Sequence, residues 1–201
     1  DHIRDKAFIL TLYESGCRIG ELLSLKIKHV QMDNYEAILL VNGKTGQRRT
    51  RVIFSVPKLQ QWIENHPLKS DLDAPLWITI GTNSRYNVLN YATAKTVLKK
   101  LAKKAGIKKR IYPPLFRHSR ATHLANHLTE AQMKQYFSRI QGSDMASIYV
   151  HLSGRVADRA LFKLNGIEEP EERRKEEINT LVCPRYKSRN FVIKISGRLK
   201  I

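Results

Sequence analysis

Four kinds of side chain in this sequence could act on a phosphate. Arg117-His118-Ser119-Arg120 places two guanidinium groups and an imidazole within one helical turn, and Arg18 follows Gly16-Cys17 far upstream. Tyr149 lies downstream in Tyr149-Val150-His151-Leu152-Ser153-Gly154-Arg155, and Lys44 sits in the turn-like Asn42-Gly43-Lys44-Thr45-Gly46. Breaking a phosphodiester requires cations over the non-bridging oxygens, a nucleophile and a proton for the leaving oxygen. Arginine suits the first task because its planar fork binds phosphate at two points and stays charged. Tyrosine can attack covalently, and lysine or histidine can deliver protons. Each residue also has a plainer reading. Arg18 could pair with Glu21 or Glu14, and Tyr149, between Ile148 and Val150, could be a core tyrosine. Tyr136 is a rival nucleophile in a less suggestive setting.

The elements that must position these residues follow from hydrophobic periodicity. Helices are expected over 3–13, 20–25, 57–65, 91–105, 115–128, 130–137, 145–152 and 156–164. Strands are expected at 37–42 and 50–54, joined by a turn whose basic tip carries Lys44, Arg48, Arg49 and Arg51; residues 76–80 are a candidate further strand. The fold class is therefore mainly α with a small antiparallel β-sheet. Asp1 falls inside an apparent helix, so a preceding domain is expected. From Gly166 the composition shifts to dense charge, so 1–166 reads as the main domain. Residues 167–201 read as a charged linker and tail ending in the alternating Phe191–Ile195 run.

Composition narrows the partner. The 201 residues include 36 Lys+Arg against 18 Asp+Glu, a net charge of +18 and a pI of about 10.1. Such an excess favours a polyanion, with nucleic acid first, over a merely solubilising or ribosomal-type surface. Between 91 and 110 there is no acidic residue, and Lys95, Lys99 and Lys103 share one helical face. They are candidate phosphate contacts together with Arg48, Arg49 and Arg120, against the alternative of a solvated face. No stretch approaches the roughly 20 apolar residues of a membrane span. Two cysteines, Cys17 and Cys183, make no disulfide framework, and a reducing, cytoplasmic setting is expected. The His118, His123, His127 spacing does not make a zinc site.

At this point the sequence resembles the catalytic domain of the tyrosine recombinases, most closely archaeal integrases of plasmid or viral type. Gly16–Leu22 resembles the family's first arginine box, Val41–Gly46 its hairpin lysine, Phe116–His123 its second arginine box, and Gly142–Met145 with Tyr149–Arg155 its nucleophile box. The resemblance implies that Tyr149 attacks a DNA phosphate and forms a 3′-phosphotyrosyl link. Arg18 and Arg117 would clamp that phosphate, and Lys44 would protonate the leaving 5′ oxygen. It further implies double-stranded attachment sites, a homotetramer on DNA, no cofactor, no metal and no small-molecule substrate, with the outcome being integration of a mobile element. Two positions depart from the pattern. Pro114 stands where the family usually has a histidine or lysine, and Arg139 where it has histidine or tryptophan. Positioned acid–base help contributes about 10²–10⁴-fold, so a slow enzyme is expected, with His118 as a possible substitute and a non-catalytic DNA-binding relative as the alternative. The tail also departs: Cys183-Pro184-Arg185-Tyr186 lacks the second cysteine of a zinc ribbon, so no zinc is expected there, and Phe191–Ile195 could dock on a neighbouring protomer or fold back on its own domain.

Overall fold

A computed structural model describes residues 2–33, 36–43, 46–81, 85–125 and 127–137, together with 164, 166, 182–183 and 188–189. Lys44, Arg139, Tyr149, the expected helices at 145–152 and 156–164 and the Phe191–Ile195 run lie outside these, apart from residue 164.

Helix α1 (Ile3–Ser15) opens with His2 as its N-cap, whose side chain accepts the Arg4 N–H. Arg4 is buried rather than solvated because its Nη1 donates to the Ile78 carbonyl, 2.9 Å away, which ties α1 to the 76–80 segment. Gly16 ends the helix in the left-handed region (φ 57°). A glycine is required there twice over: the conformation disfavours a side chain, and a Cβ would stand 2.6 Å from the Phe137 ring. The short helix α2 (Ile19–Leu23) follows, and a 3₁₀ turn at Ile27–His29 leads into the sheet.

The sheet has three antiparallel strands, β1 (Val30–Met32), β2 (Ala37–Gly43) and β3 (Gly46–Val52), in that order. Two expectations change here. The third strand is β1, a three-residue edge too short to show alternation. The 76–80 segment instead makes isolated contacts, Leu76 N–H to the Leu25 carbonyl and an Ile78–Val88 bridge. The returning strand also starts earlier than expected, with Gly43 paired to Gly46. Arg48, Arg49 and Arg51 therefore lie along the strand and not at its tip. Side chains alternate across a strand, so Thr50 and Val52 turn into the core while Arg49 and Arg51 face solvent.

Helix α3 (Val56–Glu64) buries Leu59 and Trp62 against α1, and the Trp62 indole N–H donates to the Leu76 carbonyl at 2.8 Å. Helix α4 (Tyr91–Lys104) is capped by the Asn90 side chain and buries Ala94 and Leu98, leaving Lys95, Lys99 and Lys103 exposed. Helices α5 (Pro113–Ala125) and α6 (Glu130–Phe137) share a second core cluster of Ala121, Ala125, Met133 and Phe137. A reciprocal Thr129–Gln132 cap starts α6. In the tail, β4 (Val182–Cys183) and β5 (Ser188–Arg189) pair antiparallel. No described helix is long and apolar enough to cross a membrane.

One buried acid organises the β3–α3 corner. Glu14, 3% exposed, accepts the backbone N–H groups of Ile53, Phe54 and Ser55 at 2.8, 3.0 and 2.9 Å. A buried donor left without an acceptor costs about 1–3 kcal/mol. Only the Ser55 donor is fully buried, so Glu14→Ala should lower the unfolding free energy by about 1–3 kcal/mol, and Glu14→Gln by less, in urea titrations. A Glu14→Ala loss no larger than that of an ordinary surface substitution would show that the corner holds without its acid.

Candidate active site

The two arginine boxes meet at the α1–α2 junction, through a bond between residues 101 positions apart in sequence. Arg117, on the first turns of α5, donates from Nη1 to the Gly16 carbonyl at 2.7 Å and from Nη2 to the Phe137 carbonyl at 2.8 Å. Its guanidinium also lies 4.8 Å from the centre of the Phe137 ring. One side chain thus joins the end of α1, the end of α6 and α5. The Gly16 carbonyl it grips is two residues from Arg18.

Arg18 is the N-cap of α2, and its side chain is 49% exposed. The structural pairing weighed for it is present: Nη1 donates to Glu21 Oε1 at 2.8 Å, and the Arg18 backbone N–H donates to Glu21 Oε2 at 2.8 Å. Glu21 is the third residue of α2 and reaches back to the residue that caps the helix. Half of the Arg18 side chain stays open while Glu21 fixes its direction.

Glu21, expected from sequence only as a partner for Arg18, ties more of the site together than that pairing. Its Oε2 also accepts from Arg48 Nη2 at 2.7 Å, and both side chains are almost wholly buried, at 6% and 8% exposed. A Cβ at Gly43 would stand 2.7 Å from Glu21 Oε1, so the hairpin comes down directly on this carboxylate. Gly43 is the residue before Lys44. Burial pushes the Glu21 carboxyl upward, but the hydrogen bonds from Arg48 and Arg18 outweigh it and lower its pKa to about 2. The available signals were two: the i,i+3 spacing of Arg18 and Glu21, and the alternation that puts Arg48, Thr50 and Val52 on one strand face.

Two expected DNA contacts are corrected in orientation. Arg48 is turned inward to Glu21 because it sits opposite Val41 on the buried face of the hairpin. Arg120 is half-buried, with its guanidinium 5.8 Å from the centre of the Tyr13 ring and close enough to Tyr136 to oppose the rise that burial imposes on that phenol's pKa. Arg49, Lys95, Lys99 and Lys103 are exposed as expected. The rival nucleophile Tyr136 donates its hydroxyl to the Glu14 carbonyl at 2.7 Å and is a bracing residue. His118 is half-buried one position beyond Arg117, and Pro114 is exposed in the first turn of α5. His123 packs on His127, 5.2 Å between ring centres, and burial, Arg120 and His127 all hold its pKa down. Among the described residues no group of three His, Cys, Asp or Glu could hold a metal ion.

A carboxyl whose folded pKa is depressed stabilises the fold above its unfolded value, and that stabilisation disappears as pH falls through the folded value. For Glu21 the window runs from the ordinary 4.5 down to about 2. Acid unfolding of the wild type should contain a step in that window that is missing from Glu21→Gln, measured by urea midpoints at successive pH values. Parallel curves for the two proteins would remove Glu21 as a source of acid lability. Gly16→Ala should cost more than the roughly 1–2 kcal/mol of a left-handed alanine, since Phe137 must also move.

Comparison with known proteins agrees with this geometry. Residues 1–155 match the phage integrase family. Tyrosine recombinase XerA of Pyrococcus furiosus is 27% identical over 84% of this chain and 57% of its own length. Tyrosine recombinase XerD of Chlorobaculum tepidum is 32% identical over 80% of this chain and 51% of its own. The chain thus spans little more than half the length of these relatives. The crystal structure of XerA recombinase superposes with a TM-score of 0.60 at 25% identity, covering 84% of this chain and 59% of that one. XerH site-specific recombinase bound to its difH substrate in a pre-cleavage complex gives 0.59 at 23% identity, covering 79% and 45%. The mainly helical fold with its small antiparallel sheet is that of a tyrosine recombinase catalytic domain, and the chain belongs to the phage integrase family.

Proposed function

We propose that this chain carries the strand-cleaving activity of a site-specific DNA recombinase that integrates a mobile element, with residues 1–166 as its catalytic domain and 167–201 as a linker and docking tail. The observation that carries the reading is the Arg117 hydrogen bond to the Gly16 carbonyl, which brings the two arginine boxes to one junction. Glu21 and Gly43 bring the hairpin lysine's neighbour to the same place.

In this reading Arg18 and Arg117 hold the non-bridging oxygens of a DNA phosphate and stabilise the charge that builds on them. The Tyr149 phenol gives its proton to solvent water and attacks phosphorus. The 5′ oxygen leaves with a proton from Lys44, and a 3′-phosphotyrosyl bond replaces the phosphodiester. Attack by the 5′ hydroxyl of another strand reverses the step, so bond energy is retained without a nucleotide cofactor. His118 stands in for the proton-transfer group lost at Pro114, and Arg139 hydrogen-bonds the phosphate from the other departing position. Arg49 on β3 and the α4 lysines Lys95, Lys99 and Lys103 supply phosphate contacts along duplex attachment sites, on which four protomers assemble. A second reading, a DNA-binding relative without turnover, is favoured by Pro114, whose side chain can neither give nor take a proton.

The two readings separate on a denaturing gel. Nicked, end-labelled duplexes randomised around the nick are incubated with the protein, and label that stays with the protein after denaturation is scored. The recombinase reading expects such a band, lost in Tyr149→Phe. DNA binding without any covalent band supports the second reading. Separately, Lys95→Ala, Lys99→Ala and Lys103→Ala should each reduce the slope of log affinity against log salt by about 0.9. An unchanged slope would remove α4 from the interface.

A further inference from the structure

We infer that Arg48 is a positioning residue for strand cleavage: through Glu21 it holds the hairpin against the α1–α2 junction and keeps Arg18 a net cation for the phosphate. This inference rests on the recombinase reading above.

Three observations carry it. The first is topological. One carboxylate receives the Arg18 side chain, the Arg18 backbone N–H and the Arg48 guanidinium, and the Gly43 backbone packs on it. Loss of Arg48 leaves the hairpin that carries Lys44 without its only ionic tie to α2 among the described residues. The second is electrostatic. Arg18 and Glu21 alone form a neutral pair, and a neutral pair is a poor host for a phosphate anion. With Arg48 buried on the other carboxylate oxygen, the three side chains together carry one positive charge. Because Arg48 is 8% exposed and Arg18 is 49% exposed, that charge is available at Arg18 and not at Arg48. The third is that the pair is not optimised as a structural bridge. Nε and Nη1 of Arg48 are buried and find no acceptor among the described residues. Buried ion pairs that serve stability alone are often matched by apolar replacements, so an incompletely satisfied fork beside a carboxylate that orients Arg18 points to an electrostatic duty.

Arg48 touches neither the reacting phosphate nor the nucleophile in this account, so its signature differs from that of Arg18. Arg48→Lys keeps the charge but loses the fork; Arg48→Met loses both. Each is compared with wild type, below its thermal midpoint, on a duplex recovered from the randomised pool. The scissile phosphate is either natural or carries a methyl group in place of one non-bridging oxygen, which removes its charge. The expected result is DNA affinity close to wild type for both variants. Single-turnover cleavage of the natural phosphate should fall about 10²-fold in Arg48→Met, the size of effect that misplacing a positioned group produces, and less in Arg48→Lys. On the uncharged phosphate the penalty should shrink. A purely structural role would leave the penalty equal on both substrates, and that outcome overturns the inference, as does wild-type cleavage by Arg48→Met or an affinity loss that accounts for the whole defect. A wild type that never forms a covalent band removes the recombinase reading itself and the positioning role with it, an outcome distinct from an active wild type with an indifferent Arg48.

Discussion

A carboxylate buried between two arginines is the constraint on which the site depends. Glu21 could not be taken out of water alone, because the desolvation cost of an ion far exceeds what packing returns. It is tolerable only with Arg18 on one side and Arg48 on the other, and both must arrive in register. That requirement sets the depth of the hairpin on the helix junction. It also explains why glycine occupies position 43, since a side chain there would collide with the carboxylate.

Around this centre the same device recurs with different partners. Arg117 holds backbone carbonyls instead of an acid, and so clamps α1, α5 and α6 without spending its charge on a counter-ion. Glu14 does the converse, an anion holding three backbone N–H groups at the β3–α3 corner. Tyr136 then fastens α6 to the Glu14 carbonyl at the end of α1. The loop-rich junctions are thereby tied together by charged side chains bonded to main chain. The strongly basic outer surface is a separate layer. The α4 lysines are exposed and acid-free along their face, so they give attraction at long range and little geometric definition.

How much was legible in the sequence follows the range of the forces. Helices α1, α3, α4, α5 and α6 were readable within a few residues because 3.6-residue periodicity is local. Gly16 was readable as a helix stop because a left-handed C′ position strongly favours glycine. Strand β1 was not readable, because three edge residues have no period to show. The hairpin was readable as a hairpin, but its strand was placed too late, so Arg48 was assigned to an exposed tip when the ladder begins at Gly46.

By itself the sequence determined the chemistry on offer: arginines, a lysine and a tyrosine on a chain with an overwhelming positive charge. Residue type and spacing suffice for that, since charge and nucleophilicity belong to the side chain. The tertiary structure alone decided which cations stay exposed and which are engaged within the protein. Arg18, Arg48, Arg117 and Arg120 are equivalent as letters. Burial and the nearest acceptor make one half-exposed, one a buried counter-ion, one a clamp on carbonyls and one a neighbour of tyrosines. For Arg48, Arg117 and Arg120 the partners come from other elements of the chain, and no local pattern encodes a distance to them.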